Sequence, residues 1–225
     1  MKNRFMLLVI VLSIFISSCG TIKESQDPII PSDEKIDTSV ALIPEGWHIF
    51  TDRLNVSQII KGDLNDDSLE DIILVIEKDE AQKNEISDSY FRRAILIALQ
   101  NNDNSYTKSI ISEILSADSG GVWGDPLDEI SIKNGELALN YYGGSNYRWY
   151  SKYVYKYIDD GWYLIGSTEG SYFTGDTTIE EADEISINYL TGDFIERKTN
   201  ENGNKETVNG NINISELKKL EELEE

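Results

Sequence analysis

One stretch, residues 62–77, limits the folds open to this chain more than any other. Its sequence is GDLNDDSLEDIILVIE, in which residues 63–71 carry five carboxylates and residues 72–76 form an unbroken apolar run. A charged turn therefore leads directly into a segment that is apolar at every position, which is typical of a strand buried on both faces. We expect the rest of the chain to add β-structure to this strand.

Length and composition limit the size of the fold and its partners. The 225 residues are enough for one domain with appendages. The formal net charge of −21 disfavours nucleic acid, because binding a phosphate backbone depends on a basic surface that releases counterions. Cations and basic surfaces are the charged partners that such a body attracts. The single cysteine, Cys19, and the single histidine, His48, exclude an internal disulfide and a zinc site made of four Cys or His ligands.

The first eighteen residues have the form of a secretion signal. Lys2 and Arg4 precede an apolar segment, residues 5–16, that is too short to span a bilayer. The sequence Ile16-Ser17-Ser18-Cys19 at its end resembles the lipobox of bacterial lipoproteins. That resemblance implies cleavage before Cys19 and acyl chains on this residue, which anchor the protein to a membrane. The alternatives are an ordinary cleaved signal with a free cysteine and an uncleaved signal anchor.

The patterns divide the chain into four parts. Residues 1–18 are the predicted signal peptide, and residues 19–42 are a polar tether that contains Pro28 and Pro31. A flexible tether of this length holds the following domain on the order of 25 to 30 Å from the lipid. Residues 43–214 are the predicted β-domain. Residues 215–225 are predicted to form a short C-terminal helix or tail, with Ser215 as its N-cap and leucines along one side.

The predicted fold class is mainly β, an antiparallel meander of two four-stranded sheets that resemble propeller blades. The first set comprises residues 56–61, 71–77, 93–99 and 106–115, and the second comprises residues 129–133, 136–142, 149–158 and 162–167. Short turns with glycine, such as Asn134-Gly135, are hairpin signals. Residues 184–190 and 193–198 predict a further hairpin, and residues 205–213 are a candidate edge strand.

The acidic turn has oxygen-bearing residues at the spacing of a calcium loop. Calcium takes six to eight oxygen ligands, and carboxylates this crowded are costly unless a cation neutralises them. The run GDLNDDSLED resembles the calcium loop of FG-GAP and VCBS repeats, whose pattern is GD-x-N-G-D-G-x-x-D followed by a strand. That resemblance implies calcium bound by the side chains of Asp63, Asn65, Asp67 and Asp71 and by the carbonyl of Leu69.

Two departures from that pattern keep a second interpretation open. Asp66 and Ser68 stand where the family has glycines, and a left-handed conformation is disfavoured there by about 1 kcal/mol. The alternative is an acidic turn whose side chains bond to its own amides. The loop occurs once, whereas a complete propeller repeats it, so two packed or continuous sheets are favoured over a closed ring.

Two glycine-rich loops, residues 120–126 and 141–149, are the candidate ligand-binding segments. Exposed aromatic rings beside small polar residues are surfaces on which sugars or peptides stack. The candidate ligand residues are Trp123, Asp125, Tyr147, Arg148 and Trp149. Together with residues 161–166, these loops resemble those of a group of bacterial lipoproteins, a resemblance that implies no particular chemistry. The alternative is that the loops are tight corners whose aromatic side chains fold onto the core.

From the sequence we expect a lipid-anchored, extracytoplasmic β-domain of the bacterial cell envelope. Its expected role is that of a non-enzymatic binding or envelope component, with a glycan, peptide or protein as ligand and calcium in the acidic turn. The alternative is a glycosidase-like hydrolase at the cell surface, which would use two acids on either side of a cleft. Asp125 beside Trp123 could supply one acid, but 41 acidic residues make chance pairs inevitable, so no catalytic residue is assigned.

Overall fold

The computed structural model describes residues 39–51, 59–82, 90–221 and 223. These residues form two antiparallel sheets, of five and seven strands, and the mainly β fold class is thereby confirmed. The strand counts correct the prediction of two four-stranded sets. The predicted signal peptide, Cys19 and most of the tether lie outside the described residues. No helix in the described part of the chain has the length and apolar character needed to cross a membrane.

The five-stranded sheet is built on the strand that follows the acidic turn. Its strands are β1 (Trp47–Ile49), β2 (Ile59–Gly62), β3 (Asp71–Lys78), β4 (Arg93–Gln100) and β5 (Tyr106–Ile114). Strands β1 and β2 pair with different halves of the same edge of β3, and β4 and β5 follow on its other side. Strand β1 was not predicted from the sequence, because three residues are too few to show a periodic pattern.

Strands β3 and β4 are buried on both faces, as their unbroken apolar runs predict. On one face, alternate residues such as Ile73 and Ile95 belong to a first core cluster. On the other face, Leu74 and its neighbours belong to a second core cluster, against which Leu42 and Trp47 pack. Leu42 was predicted to end the tether, but it is in contact with the sheet.

The seven-stranded sheet is a continuous meander in which each strand pairs with the next. Its strands are β6 (Leu127–Lys133), β7 (Glu136–Gly144), β8 (Tyr147–Ile158), β9 (Gly161–Phe173), β10 (Asp183–Asn188), β11 (Asp193–Thr199) and β12 (Lys205–Asn211). The Asn134-Gly135 hairpin is confirmed, and both residues have the positive φ that such a turn requires, 55° and 70°. The predicted second set stops too early because β9 is longer than expected, and its second half pairs with β10.

The two sheets pack face to face through the first core cluster. Strands β7 and β9 contribute Leu137, Leu139, Tyr141 and Trp162, which meet residues of β3, β4 and β5. The alternating tyrosines of β8 pack against the same cluster, so this aromatic face belongs largely to the core. Strands β10 to β12 contribute no residue to the cluster in the described part of the chain. We call the face of the seven-stranded sheet that turns toward the core its inner face and the opposite one its outer face.

The predicted C-terminal helix is wrong for the residues that the structure describes. Residues 218–221 and 223, which we call the C-terminal strap, instead pair with the start of β9 near Lys219 and with β5 at Leu223. The amide of Leu164 donates to Lys218 O and that of Leu220 to Trp162 O, each at 2.8 Å, and the amide of Leu223 donates to Ile111 O at 2.7 Å. The start of β9 extends past β10, so its backbone groups need another partner, which a helix could not supply. An isolated helix this short is also marginal in water.

Candidate functional site

The acidic turn between β2 and β3 closes on its own amides. Asp66 and Ser68, the two residues that replace glycines of the calcium-loop pattern, have left-handed φ angles of 62° and 71°. The Asp63 carboxylate accepts the amides of Asp67 and Ser68, at 3.2 and 2.8 Å. Asp67 in turn accepts the amide of Leu69 at 2.8 Å. The backbone thus takes the unusual conformation that the pattern requires without the glycines, and side-chain oxygens stabilise it.

Asp71, at the end of this turn, is a fully buried carboxylate. Its two oxygens accept the amides of Leu64 and Gln100, each at 2.8 Å. Burial raises the pKa of Asp71, the two amide bonds oppose that rise, and the nearby charges of Asp67 and Asp63 add to it. Asp71 therefore joins the turn to the end of β4 through two amide bonds, which offset part of the cost of burying its ionised form.

Two lysines neutralise only part of the turn. Lys61 lies 3.6 Å from Glu70, and Lys156 of β8 lies 3.5 Å from Asp66. The other three carboxylates, those of Asp63, Asp67 and Asp71, have no cationic side chain within 4.0 Å among the described residues. In the same part of the chain, no group of three or more His, Cys, Asp or Glu side chains is arranged to hold a metal ion. The oxygen donors suit calcium by type, whereas their present partners are amides.

The five ligand residues predicted from the glycine-rich loops do not converge on one site. Consecutive residues of a strand point to opposite faces, and β8 begins at Tyr147. Arg148 therefore lies on the outer face, where its guanidinium carbon is 4.2 Å from the Trp123 ring. Tyr147 and Trp149 lie on the inner face. Tyr147 is 73% exposed, and its ring centroid is 4.7 Å from that of Phe173.

Asp125, the fifth predicted ligand residue, forms an ion pair with a buried arginine. Arg93 of β4 is fully buried and donates from both terminal nitrogens to the two Asp125 oxygens, at 2.6 Å each. The same guanidinium donates to Leu115 O at 2.8 Å and lies 4.9 Å from the Phe50 ring. Asp125 also accepts the amide of Leu127 at 3.0 Å. These contacts tie the loop before β6 to the five-stranded sheet.

Four side chains form a cluster on the outer face, which we call the outer-face cluster: Trp123, Tyr142, Arg148 and Tyr172. The Trp123 and Tyr142 rings meet edge to face with centroids 6.1 Å apart. The hydroxyls of Tyr142 and Tyr172 are 2.7 Å apart. Trp123 remains 53% exposed, so the cluster presents an aromatic surface to solvent next to a cationic group.

A groove of about 580 Å³ runs along the inner face, next to Leu115 at the end of the five-stranded sheet. Its lining comes from strands β8 to β11 and includes Trp149, Tyr153, Glu169, Ile185, Glu196 and Lys198. Trp149 is the one predicted ligand residue that lines it. Gly143 lies opposite Trp149 across β7 and β8, and a Cβ there would come within 2.6 Å of the indole. Glycine at this position therefore lets the ring lie against the sheet.

Most of the carboxylates around the groove form ion pairs with lysine or arginine. Glu196 pairs with Lys198 at 3.2 Å and Glu184 with Arg197 at 3.0 Å. The Lys205 ammonium, which donates to Asp183 at 2.8 Å, lowers the pKa of that carboxyl. Glu169 has no ion pair among the described residues and accepts the hydroxyl of Tyr153 at 2.9 Å.

A larger cavity, of about 800 Å³, lies between the edge of β5 and the C-terminal strap. Its wall includes Trp162, which is only 2% exposed and donates from its indole nitrogen to Ser109 Oγ at 3.0 Å. Its tryptophan therefore offers a ligand almost no exposed aromatic surface, unlike Trp123 of the outer-face cluster. This cavity was not predicted, because the residues of the strap were predicted to be helical.

Comparison of the chain with protein families, with curated proteins and with solved structures finds no match. The groove, the outer-face cluster and the acidic turn are therefore the structural evidence on function.

Proposed function

We propose that this chain is a lipid-anchored binding protein of the bacterial cell envelope, attached through Cys19 at the extracytoplasmic side of a membrane. We further propose that its ligand is a saccharide held in the groove of the seven-stranded sheet. The observation that carries the ligand proposal is the groove itself, in which Trp149 and Tyr153 lie beside the Glu169 carboxylate. The anchor rests on the lipobox resemblance of residues 16–19.

A saccharide fits the groove better than a charged polymer does. Aromatic side chains supply flat apolar area, and Tyr and Trp also have a polar group for hydrogen bonding. Glu169 supplies an acceptor for sugar hydroxyls, since a carboxylate oxygen has more than one acceptor position. A body with a net charge of −21 repels polyanions over a Debye length of about 8 to 10 Å. A neutral, hydroxyl-rich ligand does not meet that repulsion, and its hydroxyls can donate to Glu169, the groove carboxylate that has no ion pair among the described residues.

Binding is favoured over hydrolysis by the state of the acids. A glycosidase needs a carboxylic acid with a raised pKa next to a second carboxylate. The acids whose pKa is raised in the described residues are Asp71 and Glu77, in both cases chiefly through burial. Neither lines the groove, whose acids pair with lysine and arginine or bond to Tyr153. This arrangement suits a ligand that is held without being cleaved.

Calcium in the acidic turn is part of the proposal. Asp63, Asn65, Asp67 and Asp71 would hold the ion through side chains and Leu69 through its carbonyl. The support is chemical, because three carboxylates in one turn have no cationic partner within 4.0 Å among the described residues. Burial is the main cause of the raised pKa of Asp71, and a divalent cation would reduce the smaller contribution from the charges of Asp67 and Asp63.

Replacing Cys19 with serine is expected to remove the anchor. A serine hydroxyl is not the acyl acceptor at this position, so the full chain expressed in a bacterial host should lose incorporation of radiolabelled palmitate and leave the membrane fraction. Ser18→Ala is the matched control, because a small residue before the cysteine keeps the lipobox pattern and should keep the label. Continued palmitate labelling of Cys19→Ser would contradict the anchor. Membrane retention without label in both the wild type and the variant would indicate an uncleaved signal anchor instead.

Replacing Glu169 with alanine is expected to weaken saccharide binding about tenfold, as removal of one hydrogen bond to a charged acceptor does. Suitable probes are neutral hexasaccharides of glucose and of N-acetylglucosamine, titrated calorimetrically into the full chain. Glu201→Ala is the control, because this exposed acid lies in the turn between β11 and β12 and should not alter the affinity. Equal affinity in both variants would reject the groove as the site. Release of shorter sugars from either probe would identify a hydrolase.

A further inference from the structure

Arg148 is the arginine whose charge the described part of the chain leaves uncompensated. The other arginines in these residues each pair with a carboxylate, as Arg92 with Glu113, Arg93 with Asp125, and Arg197 with Glu184. Arg148 has no carboxylate within 4.0 Å and makes no hydrogen bond among the described residues, and its Nη1 is buried without a partner. A guanidinium has five N–H donors, so an unused set is unusual in a chain of net charge −21.

The stacking on Trp123 leaves the Nε and Nη2 donors available to a ligand, because among the Arg148 nitrogens Nη1 alone is buried without a partner. The guanidinium carbon of Arg148 lies 4.2 Å from the indole centroid, a cation–π contact that uses the face of the guanidinium. The N–H groups lie in its plane and point away from the ring. A guanidinium held in this way can bind a planar carboxylate with two parallel hydrogen bonds.

Two hydroxyls beside the arginine add a further hydrogen-bond donor. Tyr172 lies opposite Arg148 in the pairing of β8 with β9, and its hydroxyl is 2.7 Å from that of Tyr142. One hydrogen bond between two hydroxyls uses one of their two hydrogens. The other hydrogen remains for an oxygen of a ligand. The outer-face cluster thus offers a carboxylate position, a hydroxyl donor and an indole surface that is 53% exposed.

The charge of the whole chain limits which anion can approach. A polyanion, such as an acidic peptide or a nucleic acid, meets repulsion from the acidic body over about 8 to 10 Å. A small molecule with one carboxylate meets much less of it and can place that group against Arg148. A ring with hydroxyls would in addition cover Trp123 and bond to Tyr172. These requirements together describe a sugar ring that bears one carboxylate.

We propose that the outer-face cluster is a second ligand site, which takes a carboxylated sugar with its carboxylate on Arg148 and its ring on Trp123. The site is independent of the groove, because Arg148 and Trp149 are neighbours in β8 and point to opposite faces of the sheet. Either site can therefore fail its test without affecting the other.

The test compares glucuronate with glucose, two monosaccharides that differ by the carboxylate. In calorimetric or ligand-observed NMR titrations of the full chain, glucuronate should bind at least tenfold more tightly than glucose. Arg148→Gln should weaken glucuronate binding about tenfold or more, and Trp123→Ala should do the same. Arg148→Lys keeps the charge but loses the planar pair of donors, so it should also bind more weakly than the wild type.

Lys152→Gln is the matched control, because Lys152 is an exposed cation on the same strand and the same face as Arg148. Its affinity for glucuronate should equal that of the wild type. An equal loss in Lys152→Gln and Arg148→Gln would overturn the site, since it would show attraction to net positive charge alone. Equal binding of glucose and glucuronate would also overturn it, as would tighter binding of triglutamate, a peptide anion, than of glucuronate.

Discussion

Replacing Arg93 with methionine is expected to lower the free energy of unfolding by about 3 to 5 kcal/mol, as removal of one partner from a buried ion pair does. The Arg93 guanidinium is fully buried, and it binds both oxygens of Asp125 and the carbonyl of Leu115. Its loss leaves the Asp125 carboxylate, whose side chain is only 30% exposed, with the Leu127 amide as its one donor among the described residues, and it removes the donor to the Leu115 carbonyl. Urea denaturation followed by tryptophan fluorescence measures the change.

Arg92 supplies the matched control for this experiment. It is the preceding residue and also pairs with a carboxylate, Glu113, but both side chains are partly exposed. Arg92→Gln should therefore cost no more than about 1 kcal/mol. A second variant, Arg93→Met combined with Asp125→Leu, removes both charges and should recover part of the lost stability. Equal losses for Arg92→Gln and Arg93→Met would show that burial does not set the strength of this pair.

Replacing Asp71 with alanine is expected to cost about 2 to 4 kcal/mol, because the amides of Leu64 and Gln100 lose a buried acceptor. The pH dependence of the unfolding free energy separates the contribution of the Asp71 charge from that of its two amide hydrogen bonds. The folded-state pKa of Asp71 is raised above its ordinary value of 3.8, so the native state takes up this proton at a higher pH than the unfolded state does. Ionised Asp71 thus opposes folding at neutral pH, and stability from this group rises as pH falls from the raised value toward 3.8.

Asp71→Asn tests the direction of this pH dependence, because the amide side chain keeps one acceptor and does not titrate. Its unfolding free energy should lack the rise on acidification that Asp71 gives the wild type, a difference measured by urea denaturation at several pH values. A wild type that instead loses stability relative to Asp71→Asn over this range would show that the carboxylate is favourably ionised in the fold.

Calcium bound in the acidic turn should offset the destabilisation that ionised Asp71 causes at neutral pH. At a concentration ten times its dissociation constant, a bound ion adds about 1.4 kcal/mol to the unfolding free energy. This gain should appear in the wild type as a rise in melting temperature at millimolar calcium and should be absent from Asp67→Asn. Glu70→Gln is the control, because Glu70 pairs with Lys61 and is not among the ligands. No change in the wild type would reject calcium and leave an acidic turn that its own amides close.

The parts of the fold that local pattern determines could be predicted from the sequence. The apolar run of residues 72–76 predicts a doubly buried strand, and the Asn134-Gly135 turn sets the register of β6 and β7. The alternating tyrosines of β8 predict one face packed on the core. In each case the signal lies within a few residues of the element that it describes, so tertiary contacts were not needed to interpret it.

The parts that were missed depend on partners far apart in the chain. Asp125 looks like a free acid in its loop until Arg93, in another sheet, is placed beside it. Residues 147 and 148 were assigned to a loop, and only their position in β8 separates their side chains onto opposite faces. The leucines of the C-terminal strap fit a helix as well as an extended segment, and the open edge of β9 determines which one forms. Sequence spacing carries no signal for these choices.

The strap has a consequence for the order in which the molecule assembles. Most strands here pair with the next strand along the chain, and such local hairpins form early because little chain entropy is lost in closing them. The contact between Leu223 and Ile111 instead joins segments on the order of a hundred residues apart and should therefore form late. Until it does, the newly made molecule leaves the start of β9 and the Ile111 carbonyl of β5 open to other chains, and that interval is when it is most exposed to aggregation.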